Sequence, residues 1–421
     1  ERRSKENNWQ EEKSMKFDIA FLSRLIPREM DAEVRQKMIG MMEDAAIAWQ
    51  ENIIEGIEIE NGGPLHLINY LPVNAYPNTY KDPFIKKRKF SHTEGAEDIN
   101  LGFCNVRYIK RFQQWIPLFQ EIDKWAKTDL GLTKVLIVYT MYPEFMMAIK
   151  HIKKKHSNIT IINIVVDLPE YTVLGDFKKT LLYRLYSSWD RHQAAVSKGY
   201  TDGYVVITKQ MGGVLSKEKP YTVVEGICTS VFPEIGPKED KTVKVIYAGK
   251  LNEMFGLRKL LDAFQMIEDQ SYELILCGIG DLGEEIANRE KEDRRIKYLG
   301  QLKREDVLKI LITSDIIINP RENIGEFTKY SFPSKVIEAL SSGIPFVGYK
   351  LEGIPDEYDK FINYPSGDTV VDLANTIVEV GTGKKQEAKA KAIEAKSWIT
   401  TKKSPKEQGR KVLDLINLII G

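Results

Sequence analysis

The chain has little of what binds metals or builds covalent frameworks. Three of its 421 residues are cysteine (Cys104, Cys228, Cys277), far apart and in no CxxC pair. That spacing excludes a disulfide scaffold and a thiolate zinc site and suits a reducing cytosol. The five histidines (His66, His92, His151, His156, His192) show no HExxH spacing, and two of them stand beside a lysine run that reads as solvated surface. No structural metal is therefore expected. No run of 18 apolar residues occurs, so no membrane span is expected, nor is a secretory leader. Charge of one sign is missing too. Lys and Arg number 61 against 60 Asp and Glu, a net charge of +1, so no bulk field draws the chain to nucleic acid. Low-complexity tracts and repeats of 20–50 residues are also absent.

What is there is alternation. After a polar tail, ERRSKENNWQEEKS (1–14), short apolar runs alternate with amphipathic stretches. The strand candidates of the first half are FDIAFLS (17–23), LHLINYL (65–71), KVLIVYT (134–140), TIINIVVD (160–167), GYVVIT (203–208) and YTVVEG (221–226). A charged, Pro-containing break, FPEIGPKEDKT (232–242), interrupts the pattern. It restarts as KVIYAG (244–249), YELILCG (272–278), IKYLG (296–300), DIIINP (315–320) and IPFVGY (344–349), with helices such as LRKLLDAFQMI (257–267) and REDVLKILITS (304–314) between. Continuous β-branched runs followed by helices imply parallel strands buried on both faces. Two such series, in a chain too long for one core, predict an α/β protein of two Rossmann-like, doubly wound domains. Ligands of such sheets sit at the carboxyl ends of the strands, so the shared site is expected in a cleft between the two.

Four constellations can carry chemistry. In SFPSKVIEALSSGIP (331–345), Pro333 suits a first helical turn and Gly343 with Pro345 a stop, predicting a helix over 334–342. The amides of Ser334, Lys335 and Val336 then form an anion site, and Glu338, four residues after Ser334, can accept from a ribose. A capped helix with an acidic residue near its positive end explains the same residues. Lys250 follows the first strand of the second series, where a cation meets a phosphate; a solvated loop lysine is the alternative. CGIGDLGEE (277–285) spells GxGxxG with Gly278, Gly280 and Gly283, but the next strand, IKYLGQL, ends without the acidic residue of a dinucleotide site. These glycines read as a tight turn that leaves room for a ligand. In VVDLPEY (165–171), Asp167 stands at a strand end, either as a catalytic group or as the organiser of the turn before Pro169.

Taken in order, GKLNE…FG…LLDAF, GIGDLGEE, YLGQL and SFPSKVIEALSSGIPFV resemble the donor domain of the retaining GT-B glycosyltransferases of family 4. The likeness is close over 240–350 and weaker through FLSRLIP, VVDLPEY and DGYVVIT. The SFPSK form is similar to transferases that build bacterial capsules and exopolysaccharides. The resemblance implies an acceptor-binding domain over 15–236, a nucleotide-sugar-binding domain over 237–403 and a C-terminal helix, 404–421, returning to the first. It implies Gly249, Lys250, Gly278, Gly280, Leu302, Tyr330, Ser334, Lys335 and Glu338 at the nucleotide sugar, with Asp167 and Lys250 catalytic. Of the family's two glutamates seven residues apart, Glu338 fits the second and Tyr330 occupies the first. Of its cation pair on the diphosphate, Lys250 is kept and Phe255 stands for the other, with Lys335 as a candidate replacement.

The implied function is transfer of a sugar from a nucleoside-diphosphate sugar to a glycan or lipid-linked acceptor with retention, in cell-surface polysaccharide biosynthesis. No cofactor or metal is expected, because lysines and helix amides can meet the diphosphate charge. A nucleotide-sugar epimerase or phosphorylase on the same scaffold, or a non-catalytic partner that keeps the fold, are the alternatives. A cytoplasmic place at the inner membrane face is expected from KDPFIKKRKF (81–90) and RYIKRFQQWIPLF (107–119), where cations interleave with aromatics. The alternative for the second stretch is a helix whose rings face the core.

Overall fold

The computed structural model describes residues 15–40, 42, 44–107, 109–168, 181–215, 218–229, 232 and 241–421. They form two compact units, one reaching to Ile227 and including Pro405–Gly421, the other Cys228–Ser404. The tail 1–14, Pro169 to Tyr171 and most of the 232–242 break, with the expected boundary at 236/237, lie outside the described residues.

The first unit is built on an eight-stranded sheet. Its strands are β1 (Phe17–Ser23), β2 (His66–Asn69), β4 (Arg88–Phe90), β5 (Asp98–Asn100), β7 (Thr133–Tyr139), β8 (Thr160–Val165), β9 (Gly203–Val206) and β10 (Tyr221–Val223), in the order β10-β9-β8-β7-β1-β2-β5-β4. All neighbours run parallel except β4, which is antiparallel to β5. A separate antiparallel pair joins β3 (Phe84–Ile85) and β6 (Phe103–Cys104). Every residue of β1 and β8 is buried, as expected of central strands covered on both faces. The closing helix Pro405–Ile420 packs on the helix Asp44–Asn61 through glycines. A methyl at Gly56 would overlap the Pro405 carbonyl, and one at Gly409 the Gly56 backbone.

The second unit is a six-stranded parallel sheet of β11 (Val243–Ala248), β12 (Tyr272–Cys277), β13 (Ile296–Gly300), β14 (Ile316–Asn319), β15 (Phe346–Gly348) and β16 (Ile362–Asn363). The order is β13-β12-β11-β14-β15-β16, which in the unit's own chain order is 3-2-1-4-5-6, the doubly wound arrangement. Helices cover both faces, and two apolar layers form. Leu257, Leu261 and Phe264 pack one side; Val336, Leu340 and Ile399 pack the other.

The α/β class read from the sequence is the one observed, and each of the eleven strand candidates forms. Most stop one to three residues short at the carboxyl end, where the chain leaves the ladder to make loops. The basic stretch 81–90 supplies two short strands, β3 and β4, each with one buried side chain, Ile85 and Phe90.

Candidate functional site

Strand order in the second unit reverses between β11 and β14, so their carboxyl ends diverge and open a crevice. The chain leaves β11 through Gly249 and Lys250. The Tyr247 hydroxyl donates to the Lys250 carbonyl at 2.9 Å, closing that turn. The Lys250 side chain is exposed, with no hydrogen-bond or ion-pair partner among the described residues.

Lys335, first residue of the helix Lys335–Ser342, reaches back to the same turn. Its ammonium donates to the Ala248 carbonyl and lies 4.9 Å from the centre of the Tyr247 ring. A methyl at position 249 would overlap that ammonium, so a side chain there would have to push the tip of Lys335 aside. Burial pulls the Lys335 ammonium down to about 8, with Glu338 opposing the shift. The helix begins with tight turns. Val336 donates to the Pro333 carbonyl at 2.9 Å and Ile337 to Ser334 at 3.2 Å. This corrects the expectation of three open amides, since Val336 is already bonded, and narrows the expected donors to Ser334 and Lys335. The Ser334 hydroxyl makes no cap. Gly343 ends the helix in the left-handed region at φ +79°.

The glycines after β12 also admit a neighbouring loop. Gly278 has φ +139°, and a methyl there would run into the Gly249 carbonyl; a methyl on Gly280 would strike the Leu251 backbone. On the side where a Cβ would stand, the space is taken by the 249–252 loop. Hydrogen bonds from Gly249 to the Cys277 carbonyl (2.8 Å) and from Leu251 to Ile279 (3.0 Å) lock the two loops together. The glycines therefore position Lys250 by letting backbone meet backbone.

Glu338 is half-buried and pairs with exposed Arg304 at 3.2 Å. Leu302, two residues before that arginine, is half-buried against the core layer beneath. Tyr330 ends the short helical turn Glu326–Tyr330 and is half-buried. Asp167 belongs to the other unit, exposed just past β8.

One residue that sequence reading missed stands here. Arg321 follows β14 at the other lip of the crevice and is 8% exposed. Its guanidinium lies 5.8 Å from the centre of the Phe255 ring, within cation–π range. Burial lowers its pKa, with Tyr247 opposing. The loop is drawn close because Gly256, at φ +77°, packs on the Pro320 carbonyl. A cation from a different strand thus lies over Phe255, besides Lys335, the replacement expected from the sequence. An arginine right after DIIINP was the available signal, but sequence alone did not say that this strand borders β11.

The stretches expected at a membrane are partly engaged elsewhere. Lys87 pairs with Glu121 at 2.6 Å and Arg88 with Glu33 at 2.8 Å, while Lys86, Lys89 and Phe84 are exposed. Phe119 is half-buried and stacks on His151 at 4.1 Å between ring centres, while Leu118 and Ile122 of the same helix are buried. The side chains of Arg111 and Phe112 lie outside the described residues. Among the described residues no helix is long and apolar enough to cross a membrane.

Residues 242–382 match the family described as Glycosyl transferases group 1. A stretch of 150 residues is 25% identical to the amylovoran biosynthesis glycosyltransferase AmsK of Erwinia amylovora, covering 34% of this chain and 36% of that protein. The matched stretch thus spans about a third of that relative's length. Among solved structures, sucrose-phosphate synthase from Thermosynechococcus elongatus superposes with a TM-score of 0.62 at 14% identity, over 96% of this chain and 99% of that one. The lipopolysaccharide outer core galactosyltransferase WaaB gives 0.58 at 15%, over 95% and 99%. Anabaena HepE in complex with UDP gives 0.54 at 13%, over 96% and 100%. The chain therefore has the GT-B fold, and the stretch of its second unit over 242–382 is similar to the glycosyl transferases group 1 family.

Proposed function

We propose that this protein transfers a sugar from a nucleoside-diphosphate sugar to a glycan or lipid-linked acceptor, with retention and without a metal, in the synthesis of a cell-surface polysaccharide. The observation that carries the reading is the gathering of Lys250, Lys335 and Arg321 around the β11–β14 crevice. As the bond between anomeric carbon and diphosphate oxygen breaks, negative charge grows on the departing diphosphate. Preorganised cations in a partly dry site stabilise that charge more than the ground state. With retention, the acceptor hydroxyl attacks from the face the diphosphate leaves, and a diphosphate oxygen takes its proton, so no carboxylate nucleophile is needed. Glu338 holds the ribose, Ser334 with Lys335 the phosphates, and Tyr330 takes the place of the glutamate nearest the sugar. Leu302 lines the base, and Asp167 is the catalytic group of the first unit.

HepE was solved with UDP and with UDP-glucose, so uridine nucleotides are the first donors to test. A thermal-shift panel of nucleoside diphosphates should show one that raises Tm through mass action. The matching sugar nucleotide should then be consumed only when an acceptor is present, and with EDTA added. Interconversion of the donor without acceptor would replace this reading by an epimerase, and loss of activity in EDTA would overturn the metal-free mechanism.

A peripheral membrane contact follows for a lipid-linked acceptor, through Lys86, Lys89 and Phe84, each cation adding about 1 kcal/mol near an anionic surface. Cosedimentation with anionic liposomes should fall when Lys86 and Lys89 are both changed to Glu. Binding unaffected by that change would remove the patch.

A further inference from the structure

The sheet of the first unit has a switch point of its own. β1 lies between β2 and β7, chain order reverses there, and the ends of β1, β2 and β7 frame a cavity of about 290 Å3. Its walls include Arg24, Asn74, Lys110, Gln114, Tyr142 and Glu144.

The polypeptide holds this cavity in a fixed shape. The Arg24 amide donates to the Gln50 side-chain oxygen at 2.9 Å, and its carbonyl accepts from the Gln50 amide at 3.0 Å. Fully buried Asn69 accepts from the Leu25 amide at 2.7 Å and from the Ser23 hydroxyl at 2.9 Å. The Arg24 guanidinium pairs with Glu144 and stacks 3.8 Å above the Tyr142 ring. Burial works against the arginine's charge, yet Glu144 and Tyr142 outweigh it and its pKa stays raised. Beside these residues Thr140 takes φ +55°, strained for a β-branched side chain and characteristic of functional sites. The Tyr70 hydroxyl bonds the Gln114 carbonyl and fixes that residue.

Within these walls two donors are buried with no acceptor among the described residues, the Arg24 Nε and the Gln114 Nε2, and Gln114 is 1% exposed. Buried N–H groups in native proteins have partners, so these two donors call for an oxygen acceptor inside the cavity, from water or from a ligand. Among the described residues the charged groups of the walls are Arg24, Lys110 and Glu144. Lys110 is steadied by the Val73 carbonyl at 2.5 Å. Buried N–H donors beside a guanidinium and an ammonium favour oxygen acceptors, charged ones most strongly.

We propose that this cavity binds an oxyanion, a carboxylate or a phosphoryl group, carried by the sugar acceptor. The word acceptor rests on the transfer reading above; the oxyanion site does not. The acceptor is then an acidic glycan or a glycosyl phosphate rather than a neutral one, and the bound anion anchors it while a separate hydroxyl reacts.

The test is calorimetry on the full chain, without nucleotide, against glucuronate, glucose 1-phosphate and glucose. At least one anion should bind tenfold or more tighter than glucose. Gln114→Leu, which removes a donor without changing charge, and Lys110→Met should each weaken that anion fivefold or more. Lys110 is half-buried, so its variant remains informative if Gln114→Leu fails to fold. Preference for glucuronate identifies a uronate-bearing acceptor, and preference for glucose 1-phosphate a phosphoryl-bearing one. Binding no tighter than glucose, or unchanged in the variants that fold, overturns the proposal. Because neither donor nor turnover enters, a failure here is distinguishable from a failure of the transfer reading.

Discussion

Arg24 pairs with Glu144 in the first unit and Arg304 with Glu338 in the second, yet the two pairs live in different surroundings. The first has side chains 12% and 6% exposed, the second 72% and 30%. A buried pair cannot be opened without stranding a charge away from water. A pair with one partner in solvent contributes about 0–1 kcal/mol, so its carboxylate can change partners when a ligand offers hydroxyls. Backbone placement sets the difference. Arg24 is clamped by Gln50 at a strand end, whereas Arg304 opens the helix Arg304–Ile312 and projects outward. The same two side chains therefore anchor one site and leave the other free to rearrange.

The largest expected effect breaks the anchored pair. Glu144→Ala should cost about 3–5 kcal/mol in urea unfolding, because Arg24 is left buried without its counter-ion. Lys250→Ala, at an exposed loop position, should change stability by less than about 0.5 kcal/mol while lowering the turnover number more than donor affinity. A small loss for Glu144→Ala would mean that the first pair is as loose as the second, and the contrast would collapse.

Next come the groups assigned to the donor. Arg321→Ala should weaken nucleoside-diphosphate binding by about 1.5–3 kcal/mol, the range for a charged hydrogen bond. Glu338→Ala should cost about 1–3 kcal/mol with the same ligand. If Arg321→Ala lowers stability and leaves affinity alone, the arginine only packs on Phe255.

How much of this was legible in the sequence follows from which interactions are local. Parallel strands announced themselves because β-branched runs such as TIINIV are buried on both faces. The helix Lys335–Ser342 was legible from Pro333 and Gly343, whose conformational limits act within one turn. Val336 was misjudged because a 3₁₀-type turn at the helix start uses the amide that an ideal start would leave open. The packing of Gly278 and Gly280 on 249–252 was not legible, because only the β11–β12 pairing brings that earlier stretch near. Arg321 was missed for the same reason, since strand order and not spacing makes it a neighbour of Phe255. Of the Arg24 cavity nothing was read, because its walls come from five segments spread over residues 24–144.

A smaller effect, with an unusual sign, belongs to Lys335. Its free-state value of about 8 lies below that of an ordinary lysine, so the unfolded chain binds more protons between the two. Stability without ligand should therefore rise with pH above about 8. Diphosphate affinity should do the reverse, being full below pH 8 and falling up to about tenfold per unit above it as the ammonium loses its proton. Calorimetry with the diphosphate from pH 6.5 to 9.5 reads the second slope, and Lys335→Met should flatten both. Affinity constant across that range would detach Lys335 from the diphosphate.

The smallest effect tests the loose pair directly. Arg304 is mostly in solvent, so removing it should change folding stability by less than about 0.5 kcal/mol. What it should change is the free state of Glu338. In the ligand-free protein that carboxylate is partly satisfied by the guanidinium at 3.2 Å, and a ribose must displace or share this contact. Arg304→Ala removes the competitor, so affinity for the nucleoside diphosphate should stay level or rise by up to about 1 kcal/mol, the most an exposed pair contributes. The double variant with Glu338→Ala should bind no better than Glu338→Ala alone, because the gain acts only through that carboxylate. Two outcomes would overturn the argument. If Arg304→Ala weakens binding as much as Glu338→Ala does, the arginine itself touches the nucleotide and the pair is part of the site. If the double variant keeps the gain, Arg304 acts without Glu338, and the exposed pair is not the adjustable counterpart of Arg24 and Glu144.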